Sequence, residues 1–199
     1  MLQASETKLR MQQTALMELS KCQPLYTGEL SAALREITET AAYTLGVERV
    51  SAWFYNQERS QLHCVDLYEL GPNRHSEGLE LRAVDYPGYF LALEADRAIA
   101  ADDAHTDSRT CEFSTSYLTP LGISSMLDVP IRLGGRTVGV LCHEQMGNAR
   151  KWSLEEENFA SYLAYMASLA MEARDRKQAQ EALRLEQEKA ERLLLNILP

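Results

Sequence analysis

Two pairs of adjacent residues, His63-Cys64 and Cys142-His143, carry the side chains best suited to chemistry in this 199-residue chain. Each pair lies in a stretch predicted to be a β-strand, where neighbouring side chains point to opposite faces. Neither pair can therefore direct both side chains at one metal ion. Because a structural metal site needs four convergent ligands, we predict no metal site. We expect each cysteine to be a small buried side chain and each histidine to be hydrogen-bonded.

The four cysteines are widely separated, at positions 22, 64, 111 and 142, and no C-x-x-C motif occurs. Such spacing is typical of reduced thiols, so we expect a cytoplasmic protein. The sequence contains no Ser-His-Asp nucleophile elbow, no Walker loop and no Gly-rich dinucleotide turn, because its Gly134-Gly135 pair belongs to a predicted hairpin. We therefore predict that this chain is not itself an enzyme and has no catalytic residues.

Charge is unevenly distributed along the chain. The formal net charge is −9, yet residues 171–199 contain six basic and six acidic side chains, so the whole acidic excess lies in residues 1–170. An acidic body does not attract nucleic acid. No run approaches about 18 apolar residues, and the N-terminal residues lack the apolar stretch of a signal peptide. The sequence thus predicts neither a nucleic-acid partner nor membrane insertion.

Hydrophobic periodicity predicts two helices at the start of the chain. Residues 3–20 place Leu9 and Leu16 seven positions apart, a narrow stripe that needs a partner helix to cover it. Residues 28–45 form a broader amphipathic pattern that ends at Gly46, which is expected to adopt a left-handed conformation. The pattern then changes to the β-branched and aromatic residues that are typical of strands.

The centre of the chain is predicted to mix strands with short helices. The predicted strands are 50–55, 62–70, 79–84, 98–101, 125–132 and 137–144, and the predicted short helices are 86–95 and 110–118. Loops are predicted at 71–78 and 102–108. Pro120 and Gly122 are expected to end the second short helix, and a tight turn at 133–136 is expected to join the last two strands.

The clearest helical pattern begins after Ser153, which forms a predicted capping box with Glu156. No glycine or proline interrupts residues 154–198, which would make a rod of about 67 Å at about 1.5 Å per residue. Beyond residue 175, two rows of residues repeat every seven positions and predict a coiled-coil seam. The rows are Leu183, Ala190 and Ile197, with Ala179, Glu186 and Leu193. The alternative is a solvated helix without a partner.

Four segments of the chain resemble a GAF domain. They are the helix-to-strand entry at 45–54 (LGVERVSAWF), the fifth strand at 124–131 (SSMLDVPI), the sixth strand at 135–144 (GRTVGVLCHE) and the start of the last helix at 152–160 (WSLEEENFA). The resemblance implies an α+β fold with a central antiparallel sheet of about six strands, helices on both faces, and long N- and C-terminal helices. It divides the chain into an N-terminal helix (1–21), a GAF domain (22–175) and a signalling helix (176–199).

The last 17 residues, 183–199 (LRLEQEKAERLLLNILP), are similar to the signalling helix that enters class III adenylate or guanylate cyclase domains. This similarity implies a regulatory region whose C-terminal cyclase domain lies outside the sequence. Because the stripes at 3–20 and 154–198 both need partners, we expect a parallel homodimer with a four-helix arrangement. The residues expected on this dimer and signalling surface are Leu9, Leu16, Leu183, Glu186, Ala190, Leu193 and Ile197.

The resemblance also implies a small-molecule pocket between the sheet and the two short helices. Its expected lining is Trp53, Tyr89, Phe90, Asp102, Tyr117 and His143. The alternative, held equally, is that the first three of these are ordinary core. Bilin-binding relatives carry a Cys-His pair that would fall near residues 113–114, whereas here Cys111 is followed by Glu112. A covalent bilin is therefore not expected, the cyclic-nucleotide signature is not found, and the cofactor is unknown.

Three functions are compatible with these residues. The first is a sensory GAF module that dimerises and passes a conformational signal along its C-terminal helix to a nucleotide cyclase. The second is a constitutive dimerisation scaffold without a ligand. The third is a redox GAF domain that acts through a thiol, although the sequence shows no resolving pair of cysteines.

Overall fold

A computed structural model describes the backbone of residues 2–197 and the side chains of residues 6–193. Helices lie at both ends of the chain, with strands and shorter helices between them. The helices are α1 (Leu2–Leu19), α2 (Pro24–Thr27), α3 (Leu30–Leu45), α4 (Pro87–Ala95), α5 (Thr119–Leu121) and α6 (Leu154–Ile197). The strands are β1 (Arg49–Tyr55), β2 (Gln61–Glu69), β3 (Arg74–Ser76), β4 (Glu80–Arg82), β5 (Ile99–Ala101), β6 (Ile123–Leu133) and β7 (Arg136–Met146).

The seven strands form one antiparallel sheet in the order β3-β2-β1-β7-β6-β5, and β4 pairs with another part of β2. The sequence predicted an antiparallel sheet of about six strands without a strand order, and the predicted α+β fold is confirmed. β6 and β7 form the longest hairpin, whose turn residues Gly134 and Gly135 have φ angles of 57° and 81°. Positive φ at both turn positions matches the twist of a two-residue hairpin, and glycine adopts it without strain.

The two faces of the sheet are covered by different helices. α3 and α6 pack on one face, here called the long-helix face, where Ile37 and Phe159 are buried. α4 and residues 111–121 cover the other face, here called the short-helix face, where Trp53 and Phe113 are buried. Each face has its own hydrophobic core, because each strand sends alternate side chains to opposite sides.

Two short elements, the edge strand β3 and the helix α2, were not predicted from the sequence. The predicted loop at 71–78 contains β3, an edge strand that pairs with β2 through only three residues. Such a short strand has too few residues to show a hydrophobic alternation. The single-turn helix α2 was also not predicted; it begins at Pro24 and ends at Gly28, whose φ is 79°.

The second short helix is less regular than predicted. It consists of a 3₁₀ turn (Cys111–Phe113), a π turn (Ser114–Leu118) and α5, rather than one helix over 110–118. Pro120 does not end it, because a proline is tolerated in the first turn of a helix and Pro120 occupies that place in α5. The chain leaves α5 at Gly122, whose φ is 67°.

α6 has 44 residues and a length of about 66 Å. The predicted capping box at its start is confirmed: the Ser153 N–H donates to Glu156 Oε2 (3.0 Å), and the Glu156 N–H donates to Ser153 Oγ (3.3 Å). Its first half packs on β6 and α3 as far as Ala173, which is buried. The side chains of residues 175–193 are almost all exposed. The helix therefore has a packed half and a free half.

Candidate functional site

Tyr89 on α4 reaches the central strands on the short-helix face. α4 starts at Pro87, and the N–H groups of Gly88 and Tyr89 donate to the two carboxylate oxygens of Glu112 (3.1 Å each). A carboxylate at this position compensates the unpaired N–H groups and the dipole of a helix. The turn that carries Glu112 thereby fixes α4. The Tyr89 hydroxyl in turn donates to Asp128 Oδ2 (2.6 Å).

Asp128 on β6 is wholly buried. Its Oδ2 accepts the Tyr89 hydrogen bond, but its Oδ1 has no hydrogen-bond partner among the described residues. Burial raises the pKa of Asp128 to about 7, although the Tyr89 hydrogen bond lowers it. The Sγ of Cys142 lies 3.7 Å from the Tyr89 hydroxyl, and burial raises the pKa of this thiol well above its ordinary value. Asp128 can thus change its charge near neutral pH.

A second buried polar group lies on the same face, where Arg49 on β1 is paired with Glu144 on β7. The Arg49 Nε donates to Glu144 Oε2 (2.8 Å), and its Nη1 donates to Glu69 Oε1 (3.1 Å). Its Nη2 donates to the hydroxyl of Tyr117 in the π turn (3.4 Å). Burial lowers the pKa of Arg49, but Glu144 and Tyr117 more than compensate for it, so the guanidinium is charged. Arg49 therefore links the sheet to the segment that covers it.

Four of the six predicted pocket residues lie together on the short-helix face: Trp53, Tyr89, Phe90 and Tyr117. Two of these rings flank Phe113, with ring centroids 4.7 Å away for Tyr89 and 6.1 Å away for Tyr117. Trp53 is almost completely buried and donates from Nε1 to Ser51 Oγ (2.8 Å). The rings of Tyr89, Phe113 and Tyr117 therefore pack as one aromatic cluster on this face.

The other two predicted pocket residues, His143 and Asp102, do not lie with these four, so the prediction that they line the same pocket is wrong. His143 faces the long-helix core, because its cross-strand partners Val50 and Leu127 belong to that core. Its Nδ1 is 2.7 Å from the Leu127 carbonyl oxygen, but its Nε2 has no partner among the described residues, and burial lowers its pKa to about 4. Asp102 is exposed and accepts the Trp152 N–H (2.9 Å), next to the start of α6.

Three charged residues at the centre of the site were missed in the sequence: Arg49, Asp128 and Glu144. Each occupies a strand position that faces the covered short-helix side of the sheet, and each is at least nine-tenths buried. A charged residue in such a position is unusual and could have drawn attention. Asp128 in particular interrupts the apolar segment SSMLDVPI. The pairing of Arg49 with Glu144 could not be predicted from the sequence, because it depends on β1 and β7 being neighbours in the sheet.

The GAF domain family model matches residues 29–171 of the chain. The chain belongs to the GAF domain family. Solved GAF structures share its fold at low identity: the GAF domain of Acinetobacter phosphoenolpyruvate-protein phosphotransferase is 16% identical with a TM-score of 0.65, over 84% of this chain and 98% of that one. A phycoerythrobilin-bound GAF domain of a cyanobacterial phytochrome is 18% identical with a TM-score of 0.70, over 84% and 97%.

A methyl-accepting chemotaxis protein is also similar, at 21% identity and a TM-score of 0.64, over 83% of this chain and 99% of that chain. A search of curated protein sequences finds no match. Identities this low show a shared fold and leave the ligand open. GAF domains are sensory or regulatory modules of signalling proteins, and the chain has this coarse role as a member of the family.

The thiols of this GAF domain are free, and two of them are inaccessible. Cys64 and Cys142 are buried, Cys22 is half-buried and Cys111 is exposed. Burial raises the pKa of Cys64 to about 12, so this thiol is protonated at neutral pH. Among the described residues, no group of three or more histidine, cysteine, aspartate or glutamate side chains could hold a metal ion. No helix in the same part of the chain is long and apolar enough to cross a membrane.

The residues predicted for the dimer and signalling surface have different environments in the single chain. Leu9 is 44% exposed, Leu183 60% and Leu193 63%, whereas Leu16 packs partly against the long-helix core. Glu186 and Ala190 are exposed on the free half of α6, with Glu186 Oε1 3.8 Å from Lys189 Nζ. The side chain of Ile197 lies outside the described residues.

Proposed function

We propose that this GAF domain forms a parallel homodimer and transmits a conformational signal through α6 to a nucleotide cyclase domain that follows it in the full-length protein. One observation carries the proposal: α6 is a single uninterrupted helix whose first half is part of the domain core and whose second half projects from it. A displacement of the packed half is therefore delivered to the free half without an intervening loop.

Exposed apolar side chains on the helices support a dimer. Tyr162 and Tyr165 lie on the outer side of the packed half of α6, and each is about three-fifths exposed. Leu183 and Leu193 are exposed apolar residues on the free half of α6, and Leu9 is an exposed apolar residue on α1. Exposed apolar side chains that share one helix face are candidates for burial against a partner. A second copy of the chain would cover all these positions by one symmetry operation.

Light scattering at tens of micromolar protein tests the dimer. We expect the mass of two chains for the wild type, and a shift towards one chain when Leu183 and Leu193 are both replaced by glutamate, because like charges would then occupy the seam. The matched control is Leu185→Glu, since Leu185 is also exposed on the free half but lies outside the two heptad rows. A monomeric wild type, or equal effects of the seam and control variants, would contradict the proposal.

The cyclase output rests on the similarity of residues 183–199 to the signalling helix of class III cyclases. We expect the full-length protein to convert ATP or GTP to a cyclic nucleotide. Because cyclases of this class form the active site between two catalytic domains, the seam variant should change that activity and the Leu185→Glu control should not. Cyclic nucleotide formation by purified full-length protein is the measurement. No cyclase activity with either nucleotide would overturn this part of the proposal and leave the dimer standing.

The two alternative functions make different predictions. A thiol-based redox function would require an accessible reactive cysteine, and the structure leaves only Cys111 fully exposed. Replacing Cys22 and Cys111 by alanine should therefore leave regulation unchanged if the signal is conformational. A constitutive scaffold would show no change in α6 when any small molecule is added, and native mass spectrometry would detect no retained ligand.

We further propose that no bilin is attached covalently, although one similar GAF domain is described as phycoerythrobilin-bound. Cys111 is followed by Glu112 rather than histidine, and the Glu112 carboxylate accepts the two N–H groups at the start of α4. Denaturing gel fluorescence after co-expression with a bilin supply tests this. A fluorescent band that disappears in Cys111→Ala would overturn it.

A further inference from the structure

Asp128 Oδ1 is a buried acceptor without a donor. Nearly all buried polar side-chain atoms in folded proteins are hydrogen-bonded, because leaving one unpaired destabilises the folded state. Oδ1 has no partner among the described residues, while Oδ2 of the same carboxyl group is held by Tyr89 at 2.6 Å. The Cys142 thiol and the His143 N–H also face this carboxyl group and lower its pKa, but neither lies within hydrogen-bond geometry of Oδ1. Oδ1 therefore has room for a further donor.

The charges around Asp128 select the kind of donor. Arg49 is the buried cation of this face, and its guanidinium is already held by Glu144 and Glu69. With Asp128 ionised, these four side chains carry three negative charges and one positive charge, and Arg74 offsets one of the negative charges by donating to Glu69. One negative charge remains in excess. An anionic ligand would find no unpaired cation here, whereas a cation would reduce the acidic excess. The proximity of Glu144 also helps to raise the pKa of Asp128, which is the same preference for positive charge.

Aromatic rings provide the remaining surroundings. The Tyr89 ring packs edge-on against Phe113 with 4.7 Å between the ring centroids, and the Tyr86 ring packs against Phe113 with 4.4 Å between the centroids. Aromatic faces attract compact organic cations as well as apolar groups.

The cover formed by residues 111–121 includes a π turn. It is held to the sheet by the buried side chains of Phe113 and Leu118 and by the long hydrogen bond between Arg49 and Tyr117 (3.4 Å). His105 also bridges the cover to β6, because its ring lies 2.7 Å from Ser114 Oγ and 3.0 Å from the Ile123 carbonyl oxygen. Moving this cover would open the rings around Asp128.

We propose that the short-helix face binds a compact organic cation whose N–H groups donate to Asp128, such as an amidinium or a guanidinium. The proposal deepens the function proposed above, because it identifies the chemistry of the signal that the domain senses, and it rests on that function only in this respect. Binding would pair Asp128 Oδ1 and displace the cover that Tyr117 holds against Arg49.

Isothermal titration calorimetry on the 199-residue chain tests the proposal with two pairs of probes. Benzamidine is compared with benzamide, its neutral isostere, and methylguanidine with N-methylurea, at a pH about 1.5 units above the Asp128 pKa of about 7, where this carboxyl group is ionised. We expect at least one cation to bind at least tenfold more tightly than its neutral isostere. Asp128→Asn should abolish that preference.

Asp66→Asn is the matched control, because Asp66 is a buried carboxylate on the opposite face, where Thr38 and His75 hold it. It should keep the cation preference. Equal binding of cation and isostere, a preference that survives Asp128→Asn, or no binding of either cation at millimolar concentration would each overturn the proposal. Circular dichroism of every variant should match that of the wild type, which tests that each variant is folded. The dimer and cyclase tests do not depend on these outcomes, so the two proposals can fail separately.

Discussion

Replacing Asp128 by asparagine should make the domain progressively more stable than the wild type as the pH rises from about 4 to about 7. The native protein keeps the Asp128 proton up to a pKa of about 7, whereas the ordinary value is 3.8. Unfolding therefore releases a proton between these two values, and wild-type stability from this group falls as the pH rises. Asparagine cannot ionise, so the variant does not suffer this loss.

The size of the effect follows from the interval between the two pKa values. One pKa unit corresponds to about 1.4 kcal/mol, so the interval from 3.8 to about 7 corresponds to about 4 kcal/mol in the difference between variant and wild type. Above the native pKa the difference should level off. The offset at low pH reports the uncharged contacts alone, since the amide carbonyl of the substituted side chain would still accept from Tyr89.

Urea unfolding followed by circular dichroism, at half-unit steps from about pH 4 to about pH 8.5, measures the difference curve. Asp107→Asn is the control, because Asp107 is a carboxylate whose pKa is lowered by hydrogen bonding to Arg109. Its difference curve should be flat above about pH 5. A change under about 1 kcal/mol for Asp128→Asn across the range would refute the conclusion that burial raises the pKa of Asp128 towards neutral pH.

Three further predictions concern other parts of the molecule. His143→Gln should change the pH dependence of stability in the opposite direction, because the native pKa of His143, about 4, lies below the ordinary value of 6.5. The wild type should therefore lose about 3 kcal/mol of stability relative to the variant as the pH falls from 6.5 to about 4. Acid unfolding curves of both proteins measure this difference. Ser153→Ala should cost about 1 kcal/mol by removing the cap of α6, measured by urea unfolding. Glu186→Leu should stabilise the coiled coil and lock the output, high or low, against any effector; unchanged thermal stability together with normal cyclase regulation in the full-length variant would contradict it.

The regular parts of the fold were readable because their signals are local. Ser153 and Glu156 form the predicted capping box within one helical turn, and Gly46 ends α3 in the predicted left-handed conformation with a φ of 65°. The Gly134-Gly135 hairpin was likewise specified by its own two residues. The irregular cover at 111–121 was not readable, because its π turn and the position of Pro120 depend on packing against the sheet.

The candidate site was only half readable for a different reason. Aromatic residues such as Tyr89 and Phe90 indicate a covered face from their composition alone. Which face a strand residue occupies depends on register, and this is why His143 was placed with the aromatic residues although it lies on the other side of the sheet. Whether a buried atom such as Asp128 Oδ1 has a hydrogen-bond partner depends on tertiary packing between segments that are distant in the sequence, so the sequence alone does not predict it.

The β6–β7 hairpin connects the candidate site to α6. It carries Asp128 on its short-helix face, and the long-helix face of β6 is the part of the sheet on which α6 packs most extensively. At the end of the hairpin, Arg150 donates from Nη1 to the Leu45 carbonyl (3.1 Å) and from Nη2 to Glu156, so it ties α3 to the first turn of α6. A ligand can bias the output only if it binds two arrangements of this hairpin with different affinity. Because the start of α6 is pinned at Arg150 and its capping box, we expect such a rearrangement to move α6 as one rigid rod rather than to bend it.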